Sequence, residues 1–402
     1  MANTDSTESN GLLESKGQRP TWAEIDLDAL AANLRTVRRV VGPAIKVMAV
    51  VKADAYGYGA VACARRLAAE GVDWFGVALP EEGVELRAAG IEQPVLCLEG
   101  FWPGQAELCL RHKLVPIVFS LEAARAFDAA AQAAGVVADL HVKLDTGMGR
   151  LGVRDEAVNE FARALLGLRH LRVDGLMTHF ASADESARDG FTAEQTARFR
   201  AACELFRACG HAPTFADLAN SAGAWAHPAA RGNMVRPGGV LYGLWRDVLP
   251  PQTDGSALRS VMSLRTRIMM LKWIAAGETL GYGRTFTAAR STHVATLPIG
   301  YADGYPRALS NRGRVLVRGQ FAPVVGRISM DLTLVDVTDV PGIAEGDIVT
   351  LIGANGAHEL TAEELARTVG TISYELTCGI SQRVRREYSG QWSVVGGQQK
   401  QN

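Results

Sequence analysis

Between residue 21 and about residue 250 the chain alternates a short apolar run with a helix-like segment, eight times over. The runs are Ile45–Lys52, Trp74–Leu79, Pro94–Leu98, Leu114–Phe119, Ala138–Asp145, Asp174–Phe180, Phe215–Asn220 and Met234–Leu241. Short apolar runs bounded by turn residues read as buried strands. The segments between them are alanine-rich and amphipathic. In one, Leu27, Leu30, Leu34, Val37 and Val41 fall three to four apart behind Asp26, a good N-cap. Another, Ser120–Ala134, is stopped by Gly135. Such alternation predicts a parallel sheet covered by helices. Eight units in this length fit a closed (β/α)8 TIM-like barrel better than an open, doubly wound sheet.

The texture changes after Pro250-Pro251-Gln252-Thr253-Asp254-Gly255. Short alternating runs follow at Arg265–Leu271, His293–Leu297, Arg314–Val317, Thr333–Val337, Asp347–Ile352 and Arg383–Tyr388. They predict a mostly β second domain with one helix, Ala362 to about Val369, opened by Thr361 and Glu364 as a capping box. The first twenty residues are polar, mixed in charge and without an apolar core, so they read as a disordered tail and not as a signal peptide. The expected division is a tail over 1–20, a barrel over 21–255 and a β domain over 256–402.

Lysine plus arginine (42) nearly balance aspartate plus glutamate (43), which argues against a nucleic-acid partner. No run approaches the length that spans a bilayer. The six cysteines show neither C-x-x-C pairing nor a disulfide framework, which fits a reducing cytoplasm.

Lys52 is the first residue of chemical interest. It closes the run Ile45–Lys52 and opens the glycine-punctuated turn Ala53-Asp54-Ala55-Tyr56-Gly57-Tyr58-Gly59. With a period of two it shares a face with Val50 and Met48 and points inward. Desolvation lowers a lysine pKa and suits the amine to Schiff-base chemistry. A strand-end lysine can also simply snorkel to solvent.

A second segment is His141-Val142-Lys143-Leu144-Asp145-Thr146-Gly147-Met148-Gly149-Arg150-Leu151-Gly152. On paper its glycines match the dinucleotide fingerprint, with Asp174 about twenty residues on, which would suggest an NAD-dependent oxidoreductase. Placement argues against that reading. Asp174 starts a strand where the fingerprint's acid should end one, and four strands precede the motif. As a barrel strand, the segment puts His141, Lys143 and Asp145 on one face. Arg150 then sits in the following loop, where a forked guanidinium suits a carboxylate. Lys143 and Arg150 are like charges close together and call for an offset.

The third group lies at the ends of the last two barrel strands. Ser221 follows Asp217-Leu218-Ala219-Asn220, and Gly238 and Gly239 follow Arg236-Pro237. A hydroxyl beside unobstructed backbone N–H groups at these loops suits a phosphate. His179 ends strand six. The eight histidines form no ligand cluster, so no metal is expected.

The motifs AVVKADAYGYG, KLDTGMGRLGV, THFASADE, ANSAG, VRPGGVLYGL, GETLGYGRTF, LPIGYADGYPR, VGRISMDL and TISYELTCGIS run in this order from Lys52's strand to Ile380. Together they resemble the alanine racemases, pyridoxal-phosphate enzymes with a barrel and a C-terminal β domain. The resemblance implies an isomerase that interconverts L- and D-alanine in the cytoplasm and supplies D-alanine for the bacterial cell wall.

It also implies residue roles. Lys52 would form the aldimine with pyridoxal phosphate and serve as base on one substrate face. Tyr282 would be the opposite base, reaching across a homodimer with shared sites. Tyr56, Ser221, Tyr374, Gly238 and Gly239 would hold the phosphate and Arg236 the pyridine nitrogen, with His179 bridging toward Tyr282. Arg150 would bind the substrate carboxylate, helped by Met330 from the other chain, with Tyr301 and Asp331 in support. In many members the lysine matching Lys143 is carbamylated, which would offset Arg150. Gly239 and Ser329 stand where many relatives carry a larger aliphatic residue and a cysteine. The alternatives are a serine or broad-specificity racemase and a pyridoxal-phosphate carrier protein. A carrier would have no need of the second domain.

Overall fold

The computed structural model describes residues 19–390. Its central feature is a closed ring of eight parallel strands: β2 (Lys46–Val50), β3 (Trp74–Val77), β4 (Val95–Cys97), β5 (Leu114–Val118), β6 (Ala138–Asp145), β8 (Leu171–Met177), β9 (Phe215–Asp217) and β10 (Met234–Val235). Each pairs with the next in that order, and β10 closes back on β2. A two-residue strand, β7 (Val153–Arg154), folds back on the end of β6. The barrel is plugged by Met48, Trp74, Leu96, Ile117, Met177 and Met234, a packed interior that leaves chemistry to the C-terminal rim.

The helices form where their caps predict. Asp26 accepts from the Ala29 N–H at 2.8 Å to open Leu27–Val41. Ser120 caps Leu121–Ala134, which ends at Gly135 in the left-handed region. Thr361 caps Ala362–Val369, but Glu364 turns to Arg314, so only half of the expected box forms.

Several expectations are corrected. The first strand of the chain, β1 (Thr21–Asp26), lies outside the barrel. It sits between Met262–Arg267, antiparallel, and Arg385–Ser389, parallel, in a sheet of the second domain. The range 21–255 therefore includes a strand that belongs to the other sheet. The tail expected over 1–20 lies mostly outside the described residues. Its last two positions are held, with Arg19 paired to Asp303 and the Pro20 carbonyl accepting from Thr266. The run Arg265–Leu271 is split between Met262–Arg267 and Met270–Ile274, which join different sheets.

Strand β2 stops at Val50, so Lys52 is not a strand residue. It opens a tight turn and is half-buried. Met234–Leu241 is a strand only as far as Val235, because Pro237 has no N–H for the ladder. No helix among the described residues is long and apolar enough to cross a membrane.

Candidate active site

The C-terminal rim of the barrel gathers Lys52, Tyr56, Lys143, Thr178, His179, Asp217, Ser221, Arg236, Gly238 and Gly239, all at or just beyond the ends of their strands. Arg236 is its electrostatic centre. The buried guanidinium pairs through Nη1 with Asp217 Oδ1, also fully buried. Its Nη2 donates to the carbonyls of Thr178 at 2.8 Å and Leu218 at 3.3 Å. The Thr178 hydroxyl donates to Leu144 O and meets Thr146, which fixes that backbone.

Arg236 Nη2 also lies 3.2 Å from His179 Nδ1. Arginine can only donate, so Nδ1 accepts and the ring proton sits on Nε2. Burial first, then the neighbouring Arg236, pushes the His179 pKa well below its ordinary value and keeps the ring neutral. Burial, opposed by Arg236 and Lys143, brings Asp217 up to about 6. Only one of its oxygens is bonded.

Lys143 and Asp217 point into the barrel from alternate strands, each in register with Met177 between them. Burial, with Arg236 next and Arg150 after it, holds the Lys143 amine well below its ordinary pKa.

Beyond β10 the backbone forms a cradle. The Gly238 N–H donates to Ser221 Oγ at 3.0 Å. A Cβ on Gly238 would lie 2.4 Å from the Tyr56 hydroxyl, and one on Gly239 2.4 Å from that of Tyr374. Side chains here would fill the space the two hydroxyls converge on. Burial raises the pKa of both tyrosines, so they remain proton donors. Their rings pack at a 46° tilt with centroids 5.3 Å apart, and Tyr242, 5.1 Å from Tyr56, ties this wall to Val50 O. An amine, an arginine and a hydroxyl-and-amide cradle on one rim are a donor set that fits an aldehyde-bearing, phosphorylated pyridine such as pyridoxal phosphate.

The glycines after β6 behave differently. Asp145 Oδ1 accepts from the N–H groups of Gly147 and Gly149, at 3.1 and 2.9 Å. The segment turns back into β7 instead of opening a helix, and Asp174 falls inside β8. The dinucleotide reading has no site here.

Arg150 is exposed at the tip of that turn. Tyr282 lies in the turn of a small ribbon, Thr279–Leu280 with Phe286–Thr287, and is 72% exposed. Met330 and Tyr301 are also exposed. Asp331 is engaged by Arg383 at 2.7 Å. Of the predicted residues, Lys52, Tyr56, Lys143, His179, Ser221, Arg236, Gly238, Gly239 and Tyr374 converge. Tyr282, Met330, Tyr301 and Asp331 face outward on the second domain. Sequence reading passed over Asp217, Thr178 and Glu82. Asp217 ends a strand with an inward residue, the only signal that could have marked it.

Residues 25–245 match the family described as alanine racemase, N-terminal domain, and residues 261–388 its C-terminal domain. An alanine racemase of Geobacter sulfurreducens is 48% identical over 92% of this chain and 97% of its own length. One from Symbiobacterium thermophilum is 45% identical over 94% of this chain and all of its own. Among solved structures, the alanine racemase of Bartonella henselae with covalently bound pyridoxal phosphate superposes with a TM-score of 0.83 at 29% identity. The match covers 92% of this chain and 99% of that one.

Proposed function

The chain belongs to the alanine racemase family, and from that premise we propose how its residues interconvert L- and D-alanine. The observation that carries the reading is the convergence of Lys52, Arg236 and the Tyr56–Tyr374–Gly238–Gly239 cradle on one rim of the barrel.

Pyridoxal phosphate, when bound, acidifies the substrate Cα–H by delocalising the charge left behind. The residues supply the rest. Lys52 would hold the cofactor through Nζ, and its amine, when free, would serve as the base on one face of Cα. Tyr282, through its hydroxyl, serves the opposite face, because inversion needs a proton removed on one side and returned on the other. Tyr56, Tyr374, Ser221 and the N–H groups of Gly238 and Gly239 orient the phosphate. Arg236, anchored by Asp217 and with Nη2 engaged by Thr178, Leu218 and His179, would face the pyridine nitrogen with its remaining donors. His179 Nε2–H is free to bridge toward the tyrosine base.

Arg150 binds the substrate carboxylate, with Met330, Tyr301 and Asp331 closing the small pocket around it. Lys143, whose amine burial holds well below its ordinary pKa, is suited to take up carbon dioxide as a carbamate and pair with Arg150. Tyr282, Met330 and Tyr301 are exposed on their own chain, which supports a homodimer in which each protomer completes its partner's site. The division into a barrel of about 27–255 and a second domain of 256–402 completed by 21–26 belongs to the same reading. So does a cytoplasmic setting, with D-alanine as the product for cell-wall synthesis.

The test is coupled racemisation of L-alanine and L-serine by purified protein beside Lys52→Ala. The expected result is turnover of alanine well above serine and none in the variant. An unchanged alanine rate in Lys52→Ala would overturn the mechanism.

A further inference from the structure

The turn behind Lys52 is bent against its own preference. Ala53, Asp54, Ala55 and Tyr56 all have φ between 52° and 57°. This is a run of left-handed helix in residues with side chains. Each such residue brings its Cβ too close to the following carbonyl oxygen, and the run persists only where the surroundings over-determine it. Two restraints come from the barrel. The Ala53 N–H donates to Glu82 Oε1 at 2.7 Å, and the Ala60 N–H to Asp54 Oδ1 at 2.6 Å.

The others come from the far end of the chain. Arg386, in the strand Arg385–Ser389, directs Nε and Nη2 onto Gly57 O at 3.1 and 3.0 Å. Its remaining N–H groups go to the carbonyls of Ser381, Val384 and Ile380, at 2.6, 2.7 and 2.6 Å. Every donor of the guanidinium is thus spent on backbone carbonyls and none on a carboxylate. The packing is close on both sides of that bond. A Cβ on Gly57 would lie 2.2 Å from Thr377 O, and one on Gly59 would lie 1.9 Å from the Tyr388 hydroxyl.

We propose that Arg386 is a positioning residue for Lys52: through the Gly57 carbonyl it holds the left-handed turn in place and so aims the Lys52 amine into the barrel mouth. The proposal rests on the reading of Lys52 as the cofactor-bearing residue. Lys52 is the residue from which the strained run departs. Relaxing Ala53–Tyr56 to right-handed values would swing the chain away from the rim and take the lysine stem with it. Glu82 holds the start of the turn and Arg386 its end. The second domain therefore acts on the site of its own chain as well as presenting Tyr282 outward.

The experiment compares full-length wild type, Arg386→Met and Arg386→Lys. Arg386→Met keeps an apolar stem and loses every donor; Arg386→Lys restores some. In cofactor-free protein, amide exchange over residues 53–59 should speed up about tenfold or more in Arg386→Met while strand β6 stays protected. In holoenzyme, kcat should fall about 10- to 100-fold with KM changed less than about threefold. The pH titration of the bound cofactor's visible absorbance should also shift. Arg386→Lys should fall between the two.

A lowered melting temperature with unchanged turn exchange, kcat per folded molecule and absorbance titration would reduce Arg386 to domain docking and overturn the proposal. Borohydride reduction of wild type with peptide mapping separates the two readings. A label absent from Lys52 sinks the site assignment, whereas a label on Lys52 with an unaffected Arg386→Met sinks the clamp alone.

Discussion

Asp217 and Arg236 form a buried pair in which neither charge has an escape to water. Asp217→Asn leaves the guanidinium in place without its counter-charge, which should cost about 3–5 kcal/mol. Urea unfolding measures it, and a loss below about 1 kcal/mol would mean that the carbonyls of Thr178 and Leu218 suffice. His141 poses a different case. Its ring is fully buried beside Trp74 and Phe215, with neither nitrogen bonded. Burial, then Arg236, lowers its pKa from 6.5 to about 3. The unfolded chain therefore binds a proton that the folded chain excludes. The stability this provides is complete above the unfolded value and is lost as pH falls toward 3. The slope should approach about 1.4 kcal/mol per pH unit. In His141→Leu the pH dependence of unfolding free energy should flatten by about one proton below pH 6. An unchanged slope would place the acid sensitivity elsewhere.

At the level of elements, features decided by a few neighbouring residues are legible in the sequence, as is the count of units that closes the barrel, whereas pairings between distant segments are not. Asp26, Ser120 and Thr361 announce their helices because a cap acts within three residues of itself. Most of the barrel strands are legible because runs such as Met48–Val50, Trp74–Val77 and Val95–Cys97 are buried and apolar without alternation. Strand β1 carries no mark of which sheet it joins, since its partners lie some 240 and 360 residues away. The expected strand runs two residues past Val50, because an apolar run does not show where ladder bonds stop. Glu82 carries no mark either, since the turn it holds lies 29 residues away. It sits in an ordinary helix, Pro80–Ala88, yet takes the N–H of Ala53 on one oxygen and those of Ala78 and Leu79 on the other. Glu82→Ala should lose about 2–3 kcal/mol and lower kcat. Chemical denaturation and steady-state kinetics would show it, and a silent variant would remove Glu82 from the set of restraints on the turn.

For the whole molecule, the outward face of Tyr282 predicts a result that no single chain can give. Lys52→Ala and Tyr282→Phe should each be inactive as homodimers. Mixed and re-associated, half of the dimers carry one site with both bases, so about a quarter of wild-type activity should return. No recovery after exchange confirmed by mass would mean that both bases act within one chain. A further consequence lies in the placement of β1. Among the described residues, the second domain takes in the first strand and the last, Trp22 lying against Arg385 in parallel register. Synthesis runs from the N-terminus and domains fold as they emerge. On the ribosome, β1 must wait without its parallel partner while the whole barrel forms behind it. Arg386, which bonds Gly57 O, likewise follows the whole barrel in the chain. On the clamp proposed for Arg386, a nascent barrel can thus be complete and still hold Lys52 slack until the strand Arg385–Ser389 docks beside β1.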